Sequence, residues 1–298
     1  MIWIDQILQG ILLGGYYALL ACGLSFMFGV MRIINLAHGS LAVMAGFLVF
    51  TLATQANLSP FLALLAVLPV MALIGWLLQR GILDRALRAG ELTPLLSTFG
   101  LAIVIDNLLF KTYGADTRSL APGIGDFAYA SWSVGPITIG QVALLTFAVA
   151  VVLLGGLQLF LQRTALGRAI RATAQDPDTA ELVGIDARAV YAAATAIALA
   201  TVAVAGTFLG LRATFDPYAG STQLIFAFEA VVIGGTGSLW GTLLGGIVLG
   251  VAQNLGAQVN PQGFLIGGHL VFLLVLAVRM LLATRASGGL RRARRATA

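Results

Sequence analysis

Apolar runs close to the thickness of a bilayer recur along the whole of this 298-residue chain, and no other feature restricts its fold as tightly. They lie near residues 7–30, 37–56, 60–79, 93–110, 137–160, 189–211, 223–235, 241–256 and 264–283. Crossing about 30 Å of hydrocarbon takes roughly 20 helical residues, and in lipid every backbone N–H and C=O must find its partner within the protein. The short alternating apolar–polar segments of a membrane barrel are missing; Leu, Ala, Gly and Val fill uninterrupted runs instead. The chain therefore reads as an all-α polytopic membrane protein with eight or nine transmembrane or re-entrant helices. Stretches 223–235 and 241–256 are shorter than a full crossing, and Gly or Asn interrupts 30–40 and 234–241, so broken or re-entrant helices are expected there.

Only 10% of the residues are charged and 59% are hydrophobic, whereas a soluble domain carries about 25% charge. One membrane domain is expected over 1–283, followed by a basic tail over 284–298. The opening "MIWIDQILQG" has no basic n-region, and no small-residue cleavage site closes a short apolar core, so the first apolar segment is expected to remain in the mature protein. Cys22 is the sole cysteine, which excludes an internal disulfide and a zinc site built from several thiolates; no metal site is expected. The net charge of +5 is spread over loop ends and "RRARR" at 291–295, which suits an anchor at an anionic leaflet better than a nucleic-acid surface.

Threading the runs alternately places Arg32, Arg80, Arg85, Arg88, Arg163, Arg168, Arg171, Arg188, Arg279, Arg285 and Arg291, Arg292, Arg294 and Arg295 on one side. Lys111, Arg118 and Arg212 fall opposite. The positive-inside rule makes the first side cytoplasmic, with the N-terminus outside and the C-terminus inside. Loop 112–136 then lies outside, and its Gly, Pro and aromatic residues suit a compact surface turn or an interfacial helix.

Against this background "GRAIRATAQDPDTAELVGID" at 167–186 is conspicuously wet, with Arg168, Arg171, Asp176, Asp178, Glu181 and Asp186 in one cytoplasmic segment. Asp176 suits a helix N-cap, Pro177 the first helical position, Asp178 and Glu181 the positive end of the dipole, and Gly184 the stop. The spacing predicts a helix of about two turns, with Ala180 inside it and Leu182 and Val183 as a small apolar patch. Alone in water such a helix is marginal. Either it is a solvated loop resting on its own membrane domain, or a partner holds it.

The pattern "GRAxRA" at Gly167–Ala172 followed by "DPxxAxLxGI" at Asp176–Ile185 resembles the cytoplasmic coupling loop of permease subunits from bacterial ATP-binding cassette importers of the branched-chain amino acid type. "INLAHGSLAVMAGF" at 34–47 and "VIGGTGSLWGTLLGG" at 232–246 resemble the same family, in the same order. The resemblance implies an inner-membrane permease that works with a homologous permease, two ATP-binding subunits and a periplasmic solute-binding protein. It implies a passage for branched-chain or related amino acids, although importers for urea and short amides share the look. It assigns Asp176, Pro177, Asp178, Ala180, Glu181, Leu182 and Gly184 to coupling. The chain has no G-x-x-x-x-G-K-[ST], so it is not expected to be an enzyme or to bind a cofactor; ATP and Mg are expected on the partner ATPases.

Candidate pathway or gating residues come from the two other motifs. Asn35, His38, Gly39 and Ser40 open an apolar stretch, where amide, imidazole and hydroxyl can satisfy freed backbone groups or line a polar path. His38 fits gating or a buried hydrogen bond to a carbonyl, and is not expected to carry protons. Gly234, Gly235, Gly237 and Ser238 suit a tight re-entrant turn or a substrate contact, while Gly246 and Gly250, four apart, suit close packing within the subunit or against a second permease. Asp106 and Glu229 lie in apolar runs and must face protein or water. Lys111 or Asn107 is expected to satisfy Asp106; Glu229 suits the pathway or a hydrogen bond to a neighbouring helix. An ion-coupled transporter would use Asp106, Glu229 and His38 as a relay, and an intramembrane hydrolase would use Ser40 or Ser238 with His38 or His269. The first gives no reason for a capped cytoplasmic helix, and the second matches no serine-protease spacing.

Overall fold

The computed structural model describes residues 2–296 apart from 91 and 136, and the side chains apart from those of 2, 134 and 283–296. The apolar runs are helices: α1 (Ile2–Met31), α2 (His38–Gln55), α3 (Pro60–Leu78), α4 (Asp84–Ala89), α5 (Thr93–Tyr113), α6 (Gln141–Arg163), α7 (Ala165–Gln175), α8 (Pro177–Leu182), α9 (Ala187–Arg212), α10 (Gly220–Gly234), α11 (Leu239–Val259) and α12 (Gly263–Ala296). Among the described residues eight helical segments are long and apolar enough to cross a membrane. A ninth apolar helix, α10, has 15 residues, about 22 Å at the helical rise and too short to cross alone. The side chains of the basic tail at 284–298 lie outside those described.

Three sequence expectations are corrected. The stretch that reads as ending near residue 79 continues through a π turn, Gln79–Leu83, into α4. Its polar residues do not end the helix because they are satisfied inside the bundle: Gln79 donates to Asp84 Oδ1 and accepts from the Thr195 hydroxyl, both at 2.8 Å. Stretch 241–256 is the middle of a full-length α11. The loop before α6 holds a short 3-10 segment, Ala121–Ala128, and an antiparallel hairpin of β1 (Ser131–Val134) with β2 (Ile137–Gly140). The hairpin takes the first residues of the apolar stretch at 137, so α6 begins at Gln141. It is tied to the start of α1, where Thr138 N–H donates to Asp5 Oδ1 at 3.3 Å.

Helices α1 and α9 form the centre: 89% and 78% of their most apolar windows are buried, against 6% for α12. They run antiparallel, since Arg212 at the end of α9 lies over the Tyr16 ring while Arg32 at the end of α1 stands near Tyr191. Helix α1 packs on α11 as α9 packs on α3, α2 lies against α9 as α10 lies against α1, and α5 and α12 flank α2 and α10 in turn. The two groups thus repeat one arrangement in opposite directions.

The repeat is visible in the chemistry at the start of its second helices. "NLAHGS" at 35–40 and "DPYAGS" at 216–221 fold alike. Asn35 Oδ1 accepts from Ala37 N–H at 3.0 Å and Asp216 Oδ1 from Tyr218 N–H at 2.8 Å; the main-chain carbonyls of both accept from the residue three further on at 3.2 Å. A Gly–Ser pair then opens each helix. His38 Nε2 donates to the Leu20 carbonyl at 2.7 Å, eleven residues before the end of α1 and about 16 Å inside the bundle. Both α2 and α10 therefore start within the membrane layer. Their starts touch: a methyl group on Gly39 would overlap the Gly220 carbonyl. From this junction α2 runs toward the hairpin end of the bundle and α10 toward the α7 end.

Candidate functional site

The wet segment forms two helices rather than one. Thr164 caps α7 by accepting from Gly167 N–H at 2.9 Å. Helix α7 is strongly amphipathic, burying Gly167, Ile170 and Thr173 and turning Arg168 and Arg171 outward. Gly167 is required by packing, since a methyl group there would overlap Leu161 of α6. After α7 the chain turns at Asp176, whose Oδ1 accepts from the N–H groups of Asp178 and Thr179, each at 3.1 Å, and whose Oδ2 accepts from the Thr179 hydroxyl at 2.6 Å. The Thr179 hydroxyl, and then the two N–H groups, hold the Asp176 carboxyl below its ordinary range by favouring the charged form.

Pro177 stands at the first position of α8, and Gly184 follows its end with φ +86°, a conformation natural to glycine. Ala180 is buried, which seats α8 on the bundle, while Leu182 and Val183 are 87% and 74% exposed. Asp178 and Glu181 are exposed beside them. A cleft of about 210 Å³ opens beside α7, bordered by Phe26, Gly29, Arg171 and Gly237. The wet segment and the glycine turn at 234–238 therefore lie at the same end of the bundle.

That turn is tightly packed and capped. Gly235 and Gly237 have φ of +99° and +81°, Ser238 Oγ caps α11 by accepting from Gly241 N–H at 3.1 Å, and Gly234 lies against Gly241 too closely for a side chain on either. Gly246 and Gly250 pack against Gly14 and Gly10 of α1, so that close-packing face is used within the subunit.

At the junction, Asn35, His38, Gly39 and Ser40 are all buried. The His38 imidazole is held by the Leu20 carbonyl, the hydrogen bond to a neighbouring carbonyl that its position suggests. Ser40, rather than Lys111 or Asn107, provides the hydroxyl beside Asp106, and the Asn107 amide turns to the Ile103 carbonyl at 2.8 Å. The expected partners fail because successive side chains on a helix diverge by about 100° and Lys111 is more than a turn away. Glu229 pairs with His269 Nδ1, linking α10 to α12; the Glu229 side chain is 4% exposed and that of His269 44%. The structure thus brings His269 to Glu229 and leaves His38 on a different partner, so the three groups of an ion relay do not form one chain of hydrogen bonds.

Sequence reasoning counts Arg212 only as a basic residue of the outer side and passes over Tyr16, Gln223 and Asp216; together the four surround the start of α10. Tyr16 donates to Gln223 Oε1 at 2.6 Å, and the Arg212 guanidinium carbon lies 5.3 Å from the centre of the Tyr16 ring. The signal available was the match of "DPYAGS" to "NLAHGS".

Comparison with known proteins agrees along nearly the whole chain. Residues 6–284 match the family of branched-chain amino acid transport system permease components. The chain is 32% identical over 268 residues to the high-affinity branched-chain amino acid transport system permease protein BraD of Pseudomonas aeruginosa, covering 86% of this chain and 87% of that protein. It is 28% identical over 267 residues to LivH of Escherichia coli, covering 85% of each. It is 28% identical over 260 residues to the fructose import permease protein FrcC of Rhizobium meliloti, covering 81% of this chain and 69% of that one. PsaBC from Streptococcus pneumoniae in complex with Fab aligns with 92% of the chain at a TM-score of 0.48 and 14% identity. With the family match spanning almost every helix described above, the chain belongs to the branched-chain amino acid transport system permease family.

Proposed function

We propose that this chain is an inner-membrane permease subunit of an ATP-binding cassette importer, and that with a second, homologous permease it forms the passage for branched-chain or related amino acids. A periplasmic binding protein delivers the solute, and two separate ATPases bind ATP with Mg. The N-terminus faces the periplasm and the α7 end faces the cytoplasm, in keeping with the distribution of arginines. The observation that carries the reading is α8: a capped, rigid helix that offers Leu182 and Val183 to a partner at the end of the bundle where the arginines gather. A short helix fixed to the membrane domain through α7 can pass the closure of a separate motor into the bundle as a rigid-body movement.

The test is reconstitution in liposomes. The chain co-expressed with its second permease and an ATPase pair should take up leucine when ATP and the loaded binding protein are supplied, and the chain alone should neither hydrolyse ATP nor take up leucine. Uptake of leucine by the lone chain under a proton or sodium gradient would overturn the proposal.

A further inference from the structure

Arg212 presents a charge that forms no ion pair among the described residues; Asp216, the nearest carboxylate along the chain, is turned to the Tyr218 N–H instead. It ends α9 and is exposed; its side chain forms no hydrogen bond to a described residue, and the guanidinium lies over the ring of Tyr16 with Tyr17 nearby. Tyr16 stands at the midpoint of the 30-residue α1, roughly 20 Å from either end at the helical rise. The end of α9 is tied to the loop before β1, where Leu120 N–H donates to the Gly210 carbonyl at 2.7 Å, and from there the guanidinium reaches inward to the level of Tyr16, where exposure to lipid is costly and a cation is tolerated only beside water or a partner group.

The break that follows Arg212 in the chain is polar. Arg212 and Thr214 lead into the break before α10, and Ser221 and Thr222 in its first turn are exposed as well, with Gln223 held by Tyr16. Helix α10 begins without a side-chain cap. Its start adds the positive end of a helix dipole to the charge of Arg212. Buried Tyr16 holds the guanidinium through its ring, and no described residue takes up the guanidinium's hydrogen-bond donors.

We infer that Arg212, backed by Tyr16 and the first turn of α10, is the receptor for the carboxylate of the transported amino acid within the membrane. The inference rests on the proposed function and deepens it by naming the group that meets the solute. A guanidinium suits this task because its planar fork can donate two hydrogen bonds to one carboxylate. The contact must also be weak enough to release the solute, and the open side of Arg212 allows that.

The experiment uses the complete transporter in liposomes, with radiolabelled leucine as probe. Arg212→Gln should lower leucine uptake by about tenfold to a hundredfold, the range expected for losing one charge-assisted hydrogen-bonded contact. ATP hydrolysis stimulated by the binding protein, and co-purification of the second permease, should hold. In a Cys22→Ala background, Arg212→Cys treated with an aminoethyl methanethiosulfonate should regain uptake, and treatment with the sulfonatoethyl reagent should not. Equal responses to the two reagents, or full uptake by Arg212→Gln, would overturn the inference. Loss of the second permease or of ATP hydrolysis in Arg212→Gln would also overturn it, by assigning the guanidinium to an acid of the assembly. Failure of the unsubstituted complex to take up leucine would instead contradict the proposed function.

Discussion

A side chain on Gly39 would overlap the carbonyl of Gly220, and one on Gly220 would come within 2.7 Å of the Ser40 backbone. The two glycines bring the starts of α2 and α10 together inside the membrane layer, so the break in each repeat is a packed junction rather than a loose loop. Gly39→Ala is expected to destabilise the purified chain by about 1–3 kcal/mol, because the overlap is with backbone that cannot rotate away. Gly156→Ala in α6, where nothing lies within 4 Å, should instead stabilise it by about 0.5–1 kcal/mol through the gain in helix propensity. Thermal unfolding in detergent reads both, and equal effects would remove the junction from the account.

The docking role of α8 predicts a separation between assembly and folding. Glu181→Lys combined with Leu182→Asp should abolish co-purification of the ATPase pair while leaving the melting of the membrane domain within about 0.5 kcal/mol of the original, because both side chains are exposed. Retention of the ATPases by this double variant would sever the link between α8 and the motor.

Protonation of Asp176 provides an independent handle on the same helix. Its carboxyl is held below the ordinary aspartate value, so its charged form is favoured by folding. The stabilising contribution is fully present above the unfolded value and is lost as pH falls through the lower folded value. Hydrogen exchange at the Thr179 amide, corrected for intrinsic rates, should therefore stay protected down to the ordinary carboxylate range and open only below it. Asp176→Asn should flatten that acid limb; an unchanged limb would assign it to another group.

The Glu229–His269 pair braces α10 against α12. His269→Ala leaves a buried carboxylate without its partner and should cost roughly 1–3 kcal/mol, toward the low end for a buried pair because the imidazole is half exposed. ATP-driven leucine uptake by the complete transporter should persist when a protonophore collapses the proton gradient. Abolished uptake under that condition, with ATP still present, would restore the ion-coupled reading.

The apolar runs made the helical membrane fold legible because length and composition are local properties, and the cap at Asp176 with the stop at Gly184 was legible because capping chemistry reads within a few residues. Features made by distant contacts were not. Gln79 and Asp84 look like the end of a helix until Thr195, more than a hundred residues on, is seen to donate to Gln79, whose amide in turn satisfies Asp84. Glu229 and His269 are both conspicuous in apolar runs, but nothing in the sequence pairs them. The hairpin at 131–140 was hidden because four-residue strands leave too short a period to distinguish from a loop. Arg212 escaped notice for a different reason: at the end of an apolar run an arginine reads as an ordinary flank, and only the placement of Tyr16 shows how deep it sits.

The account stands most directly on which side of the membrane α8 faces. Val183 is exposed and the native Cys22 is buried, so a Val183→Cys, Cys22→Ala chain offers one reactive thiol at the tip of that element. A membrane-impermeant maleimide added to intact spheroplasts should leave it unlabelled, and labelling should appear once the membrane is inverted or opened. Full labelling in intact spheroplasts would put α8 in the periplasm, beyond the reach of any cytosolic ATPase, and would contradict the account.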